Sequence, residues 1–400
     1  MITGNVRSGR EFRGIFEQVF ELRRQGLVDG ILFATWRDEL RKFPSLGKTL
    51  ADQGVTTVAI EPPAALPAIH PLFHGYVLHQ RKALHFALCS LPADCFVLKA
   101  RTDFAEERFA SMAQSLFRED SPSLRVNLPQ PILQTRLFTF DARTDYFFYW
   151  DDIVFCGMRD DLLALNNFEL SPEVIYPAQL FAAEMRLFAP LFLKHYPVLA
   201  WFFENVHGEK FGRALQRWAE AGDAVPLPVL AREILAAYFH ILSRYLLLPE
   251  AAGELGGPLS LRQFFQDSPG RGVKRFPTPW PSHKLVSAAP MRSLAEGRDG
   301  DDVEMAELLT RLERLDSDPA ARRELRADLE SRSGELVEFG RRFGEEISVC
   351  PVWRIPADSP AESPGLGSLE LPEKRFLSRW GQRKLGVRRN LARWVLKNIL

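Results

Sequence analysis

Short apolar runs alternate with amphipathic stretches through the first 165 residues, and that alternation leaves few folds open. Met1–Val6, Ile31–Thr35, Thr56–Ile60 and Cys95–Ala100 are short and apolar and read as strands. Glu11–Gln25 carries Phe12, Ile15, Phe16, Val19, Phe20 and Leu22 at helical spacing, and Gly26, Asp29 and Gly30 stop it. Glu39–Gln53 reads as a second helix, broken by Pro44 or starting after it; Leu78–Leu91 and Ala105–Phe117 read as two more. Strand and helix repeated in this way predict an α/β fold, a mixed, mainly parallel Rossmann-like sheet flanked by helices. Such sheets bind ligands beyond the carboxyl ends of their strands. That rule singles out Gly4, Asn5, Arg7 and Ser8 after the first strand and Thr35 and Trp36 after the second. Glu61 follows the third, and Arg101 and Asp103 the fourth.

Further on, Gln134–Phe140 and Tyr146–Trp150 read as two strands that could form a hairpin. Ile153–Gly157 is another apolar run, and a helix is expected to start at Arg159-Asp160-Asp161. The expected organisation is an α/β core over residues 1–165 and a helical continuation over 166–250. A loop-rich segment (251–300), a charged helical region (301–350), a linker (351–372) and a basic amphipathic helix (373–400) complete it.

Composition narrows the classes. The 51 Lys and Arg balance 51 Asp and Glu, which excludes a strongly basic nucleic-acid binder. With 46% hydrophobic and 26% charged residues over 400 positions there is ample material for a core. The four cysteines sit in apolar contexts without CxxC spacing, as free thiols in a reducing compartment would. The eight histidines show no metal-binding spacing. The first residues have no apolar signal core, and no run of about 18 uncharged apolar residues occurs, so the expectation is a cytoplasmic protein.

The sharpest local signal is Cys95–Phe104, CFVLKARTDF, an apolar strand that ends in Lys99, Arg101 and Asp103. Asp103 could anchor a diphosphate-bridging divalent metal, with Arg101, Lys99 and Arg81 offsetting phosphate charge. The alternative is an Arg–Asp ion pair that closes the strand end. GNVRSG (Gly4–Gly9) could present backbone N–H groups to an anion, or be a turn with Ser8 as N-cap. Asp151 and Asp152 follow an aromatic run and could act as a general base, or lie solvated in a turn. Asp160 and Asp161 suit the first turn of a helix, where the dipole favours negative charge. The aromatic stretch from Phe181 to Phe203 reads as core.

Residues 373–400 carry nine basic residues between Lys374 and Lys397, interleaved with Trp380, Trp394 and other apolar residues, and no acid after Glu373. An interfacial helix on anionic lipid is one reading; a nucleic-acid patch or a partner helix is the other.

With these motifs in place, the chain resembles the WavE-like lipopolysaccharide synthesis family of bacterial glycosyltransferases. GNVRSG, ILFATW, Gln80-Arg81, LKARTD, WDDIVFCGMRDDL and SPEVIYPAQLFAAEM carry the resemblance, roughly over residues 1–210. It implies a GT-A-like fold, a nucleotide-sugar donor, a lipid-linked or glycan acceptor and a role in cell-surface polysaccharide. In that family's fold an Asp-x-Asp motif ends the corresponding strand and holds a divalent metal, Mn or Mg. Here Asp103 matches its second carboxylate, and Arg101 stands at the first. By the same mapping Gly4, Arg7, Ser8, Arg81, Lys99 and Arg101 lie near the nucleotide sugar, and Asp152 or Asp151 faces the acceptor as base. Residues 373–400 would hold the enzyme on the inner face of the plasma membrane. Two rival expectations remain: a sugar-phosphate nucleotidyltransferase, and a non-catalytic membrane-associated scaffold in polysaccharide assembly.

Overall fold

Strand order is the feature of the fold that matters most for function. The computed structural model describes residues 1–6, 9–61, 75–103, 109–117, 132–139, 148, 150, 154–166, 188–193, 195–221, 225–247, 319–347 and 349. Its strands are β1 (Ile2–Thr3), β2 (Ile31–Trp36), β3 (Val55–Ile60), β4 (Phe96–Arg101), β5 (Leu137–Thr139), β6 (Phe155–Met158) and β7 (Leu246–Leu247). They form one sheet in the order β3-β2-β1-β4-β6-β5-β7. β3, β2, β1 and β4 are parallel; β6 is antiparallel to both β4 and β5, and β7 lies parallel to β5. The mixed, mostly parallel sheet flanked by helices is as the sequence pattern predicts.

Two residues suffice for β1 because both of its neighbours hold it. Ile2 and Thr3 pair with Phe33 and Ala34 on one side and with Ala100 and Arg101 on the other. The Met1 amino group donates to the Leu98 carbonyl at 2.8 Å. Burial pushes that amine down from 8.0 to about 6.

The period-2 alternation sorts each strand between two cores. Ile2, Ile31, Phe33, Leu98, Ala100, Phe138 and Cys156 face α1 (Gly9–Arg24) and α5 (Phe109–Ser115). The apolar stripe of α1, with Ile15, Phe16, Val19 and Leu22, is buried there. On the opposite face, Ala83 and Ala87 of α4 (Gly75–Cys89) pack on Leu32 and Ala34. Between β2 and β3 the chain forms α2 (Arg37–Lys42) and α3 (Pro44–Asp52); Pro44 starts α3, where its missing N–H costs nothing.

β6 leads into α6 (Arg159–Leu165). The helical region that follows contains α7 (Ala189–Leu193), α8 (Pro197–Asn205), α9 (Gly208–Glu220) and α10 (Val229–Tyr245), then α11 (Pro319–Ser331) and α12 (Gly334–Arg342). Their apolar faces join Val97, Leu137 and Phe155 in one cluster. Phe188, Phe192, Tyr196, Trp201, Phe202 and Phe203 are all buried there, so the described part of the aromatic stretch is core.

Of the expected strand Tyr146–Trp150 only Phe148 and Trp150 are described residues; Phe148 has φ of 59°, a left-handed conformation, and its ring packs 5.2 Å from Tyr238. The edges of β5 are taken by β6 and β7. One expectation needs correction: β7 is a two-residue strand directly after α10 in a stretch read as helical, and its parallel pairing with β5 becomes possible only once the sheet has formed.

The segment after α12 returns to α9. Arg213 forks onto Glu345 at 2.9 and 3.0 Å, Arg217 donates to the Phe343 and Gly344 carbonyls, and Lys210 donates to the Glu346 carbonyl. The absence of a side chain at Gly340 makes this turn possible, since a Cβ would stand 2.7 Å from the Glu345 carbonyl oxygen. Residues 250–300, the linker and the basic C-terminal segment lie outside the described residues.

Candidate functional site

The chain order reverses between β1 and β4. From β1 it moves outward through β2 and β3, then crosses back to β4 on the other side of β1. In doubly wound sheets ligands bind at such a reversal, at the carboxyl ends of the two strands; here the helices after β1 and β4, α1 and α5, pack on the same face of the sheet. Residues 4–6 and 101–103 occupy that place.

The two strand ends are fastened to each other. Thr102 N donates to the Thr3 carbonyl at 3.1 Å, and Gly4 N to the Ala34 carbonyl at 3.2 Å. The Thr102 hydroxyl donates to the Asn5 carbonyl at 2.6 Å. Gly4 has φ of +126°, and a Cβ there would come within 2.7 Å of the Thr102 hydroxyl oxygen. Position 4 therefore requires glycine on both backbone and steric grounds. Beyond it, Val6 N donates to Glu39 of α2 at 3.2 Å, and the other oxygen of Glu39 accepts from Lys42 at 2.6 Å. Two buried oxygens at this edge, Asn5 Oδ1 and Thr35 Oγ1, have no hydrogen-bond partner among the described residues. Buried polar atoms left in that state are costly, and a bound polar molecule would satisfy them.

At the end of β4, Arg101 Nε donates to Asp103 Oδ1 at 2.9 Å and Nη2 to Oδ2 at 2.8 Å. The side chains are 18% and 9% exposed, so this planar two-bond fork is largely out of water. The ion pair weighed as an alternative at the sequence level is thus present. It does not remove the pair from the strand-order reversal.

Lys99 lies two residues below Arg101, on the same face of β4, and is only 4% exposed. Its ammonium sits 4.9 Å from the centre of the Phe155 ring, a cation–π contact that helps offset burial. A cavity of about 30 Å³ adjoins it, lined among others by Thr3, Gln80, Phe155, Asn166 and Phe188. That is room for a water molecule or two. Lys99 is therefore a buried cation beneath the strand ends, not an arm reaching out of them. Arg81, on the helix that covers this face, is 3% exposed. Desolvation lowers its pKa to about 10, and its backbone carbonyl accepts from Asn166 at 2.8 Å.

The structure thus gathers Gly4, Arg101 and Asp103 at one pair of strand ends, with Lys99 underneath. Arg7, Ser8, Asp151 and Asp152 lie outside the described residues. Thr102 and Glu39 were not singled out from the sequence. Their signal is weak, since a threonine between Arg and Asp, or an acid early in a helix, is common in any sequence.

Among the described residues no group of three or more His, Cys, Asp and Glu side chains is arranged to hold a metal. At this edge the carboxylates Glu39, Glu61, Asp38 and Asp103 each face a basic side chain: Lys42, Arg37, Arg41 and Arg101. That donor set does not suit a resident divalent cation, which needs carboxylate oxygens to replace its water.

No family model matches the chain, and none of the curated proteins or solved structures compared with it is similar. Fold and site geometry therefore stand without support from a relative. Among the described residues, no helix is long and apolar enough to cross a membrane.

Proposed function

We propose that the chain is a nucleotide-sugar-dependent glycosyltransferase with a GT-A-like core, acting on a cell-surface polysaccharide such as lipopolysaccharide or capsule. The observation that carries this reading is the arginine–aspartate fork at the strand-order reversal, where the β1 and β4 ends meet at a glycine. The parallel order β3-β2-β1 is that of a mononucleotide-binding half-sheet, with β4 beside β1 across the reversal, and it supports the reading. So do the buried oxygens of Asn5 and Thr35, which suit a ligand rich in hydroxyl groups.

In this reading the nucleotide sugar lies across Gly4 and the end of β4. Bond breaking at the anomeric carbon leaves charge on the departing diphosphate. Arg101 is placed to stabilise that charge, and Lys99 adds positive potential from a site that water does not screen. Asp103 holds the guanidinium plane. If the reaction inverts the anomeric centre, Asp152, or Asp151 beside it, takes the acceptor proton. Residues 373–400 would bring the enzyme to an anionic membrane surface carrying a lipid-linked acceptor.

A thermal-shift panel tests the reading. Nucleoside diphosphates should raise Tm, because a ligand that binds only the folded state stabilises it. A shift with triphosphates alone would favour a sugar-phosphate nucleotidyltransferase. No shift with either would favour a scaffold. Deleting residues 373–400 should move the protein from the membrane to the soluble fraction; unchanged partitioning would refute the anchor.

A further inference from the structure

We propose that β3 is a docking edge on which a second copy of this chain adds its own β3 antiparallel, about a two-fold axis at Thr57, so that two sheets become one. The inference is independent of the nucleotide-sugar reading, because β3 is the outermost strand and the strand-order reversal lies between β1 and β4.

The first ground is a difference between the two ends of the sheet. It stops at β3 on one side and at β7 on the other. β7 is two residues long and offers few open backbone groups. β3 runs six residues, VTTVAI, and pairs over its whole length with Ile31–Trp36 of β2. Among the described residues no strand pairs with its other edge. Unpaired N–H and C=O groups recruit a further strand, so long edges are usually blunted by a lysine, a proline, an inward charge or a bulge. Val55–Ile60 contains no charge and no proline, and its register with β2 is unbroken.

The second ground is where β3 is covered. Val55 and Ile60, at its two ends, are buried, whereas Thr56 and Ala59 between them are exposed, one on each face. Val55 packs with Leu50 of α3 on the α1 side of the sheet, and Ile60 packs with Ala83 and Ala87 of α4 on the other. The helices thus hold the ends of the strand and leave its middle to water.

The third ground selects a second copy as the occupant. An antiparallel pair about a two-fold normal to the sheet sets residues of the same face opposite each other. With the axis at Thr57, Val55 meets the partner's Ala59, Thr56 meets the partner's Val58, and the two Thr57 residues meet. Threonine and β-branched residues make favourable cross-strand pairs. Gly54 meets the partner's Ile60 without a side chain in the way, and Gln53 meets the partner's Glu61. The Gln53 and Gly54 carbonyls accept from Arg23 at 2.8 and 3.3 Å, which holds a guanidinium at that end of β3. Glu61 stands at the other end, 58% exposed beside a half-exposed Arg37, with room for a second cation. The two-fold brings each Arg23 to the Glu61 of the other copy, so the edge is complementary in charge to itself.

Sedimentation velocity on the full chain, across a dilution series reaching about 100 µM, tests the pairing. Wild type should show a concentration-dependent dimer. Ala59→Lys, on a side chain that already faces water, should leave Tm unchanged and weaken the dimer at least tenfold. Arg23→Glu and Glu61→Arg should each weaken it, and the two together should restore a Kd within about threefold of wild type, since the swap rebuilds both ion pairs. A wild-type monomer throughout the series would overturn the proposal. So would a dimer indifferent to Ala59→Lys, which would place the interface elsewhere. Failure of the charge swap to rescue would overturn the pairing about Thr57. Should Ala59→Lys fail to fold, the charge swap decides alone.

Discussion

Two Arg-x-Asp triplets sit at opposite ends of neighbouring antiparallel strands. Arg101-Thr102-Asp103 closes β4, and Arg159-Asp160-Asp161 opens α6 directly after β6. The register pairs Phe96 with Met158, so the second triplet lies at the edge where β4 begins. Their aspartates are equally hidden, Asp103 at 6% and Asp161 at 3% exposure. Their partners are not alike. Both Asp103 oxygens accept from the arginine of its own triplet. Asp161 ignores Arg159 and accepts from Gln134 N at 2.7 Å, Thr135 N at 2.8 Å and the Thr135 hydroxyl at 2.6 Å. Arg159 meanwhile donates to the Leu88 carbonyl and to Asp160. One carboxylate anchors chain 26 residues away; the other holds a neighbour's charged head in place. The contrast separates an aspartate that builds the fold from one that the fold presents at the strand-order reversal.

The contrast breaks first, and hardest, at Asp161. Asp161→Ala removes the acceptor for three donors at once, two of them on buried Thr135. A buried donor left unsatisfied costs about 1–3 kcal/mol. A total loss of about 3 kcal/mol is expected, read from the urea midpoint at unchanged m. A loss under about 1 kcal/mol would mean that residues 134–135 find other acceptors and that Asp161 is no anchor.

A third carboxylate shows that reach matters as much as charge. Glu345 binds Arg213 and Arg217 across 132 and 128 residues, from the segment after α12 to α9. The Arg213 hydrogen bond, opposed by burial and assisted by the charges of Arg213, Arg217 and Lys210, holds its pKa below 4.5. A carboxylate with a lower folded than unfolded pKa stabilises above the unfolded value, and that gain disappears as pH falls through the folded one. Wild type should therefore lose more stability than Glu345→Gln between about pH 5 and the acid limb. Parallel acid profiles for the two proteins would remove Glu345 from the account.

Much of this was legible before any coordinates. The alternation of apolar runs and amphipathic stretches predicts the parallel half of the sheet, because period-2 and 3.6-residue patterns are imposed by burial itself. The candidate site follows from the strand ends, so Gly4, Arg101 and Asp103 could be named in advance. Strand pairing beyond β4 was not legible. β7 is two residues at the end of a 17-residue helix, and no local pattern marks it. Phe148 reads as strand because its neighbours are aromatic, yet tertiary packing holds it at positive φ. Asp161 suits a helix N-terminus so well that its long-range role is hidden. A sequence shows which charges are near each other along the chain, not which distant donors will meet them.

The next test keeps Asp103 and Asp161 on the same scale. Asp103→Asn keeps the shape of the side chain and one acceptor for the fork. The fork itself spans only two residues, so the stability loss should stay near 1 kcal/mol, against about 3 for Asp161→Ala. The proposed sugar transfer should nevertheless be abolished, because the guanidinium plane is no longer fixed. Full transfer activity in Asp103→Asn would remove it from the site; a loss of stability as large as that at Asp161 would make it a second anchor.

Asp160 supplies the smallest effect and the internal control. It shares a triplet with Asp161, and its side chain is 56% exposed beside Arg159. Exposed ion pairs contribute roughly 0–1 kcal/mol, since water solvates both partners in either state. Its place in the first turn of α6 adds a modest dipole term, which is weak because the site is wet. Asp160→Ala should therefore change stability by no more than about 0.5 kcal/mol, and raised salt should shrink even that. If Asp160→Ala instead matched Asp161→Ala, the acidic start of α6 as a whole would be holding the fold. The distinction would then lie between the two edges of the sheet, not between one carboxylate that accepts from distant donors and another that clamps its own arginine.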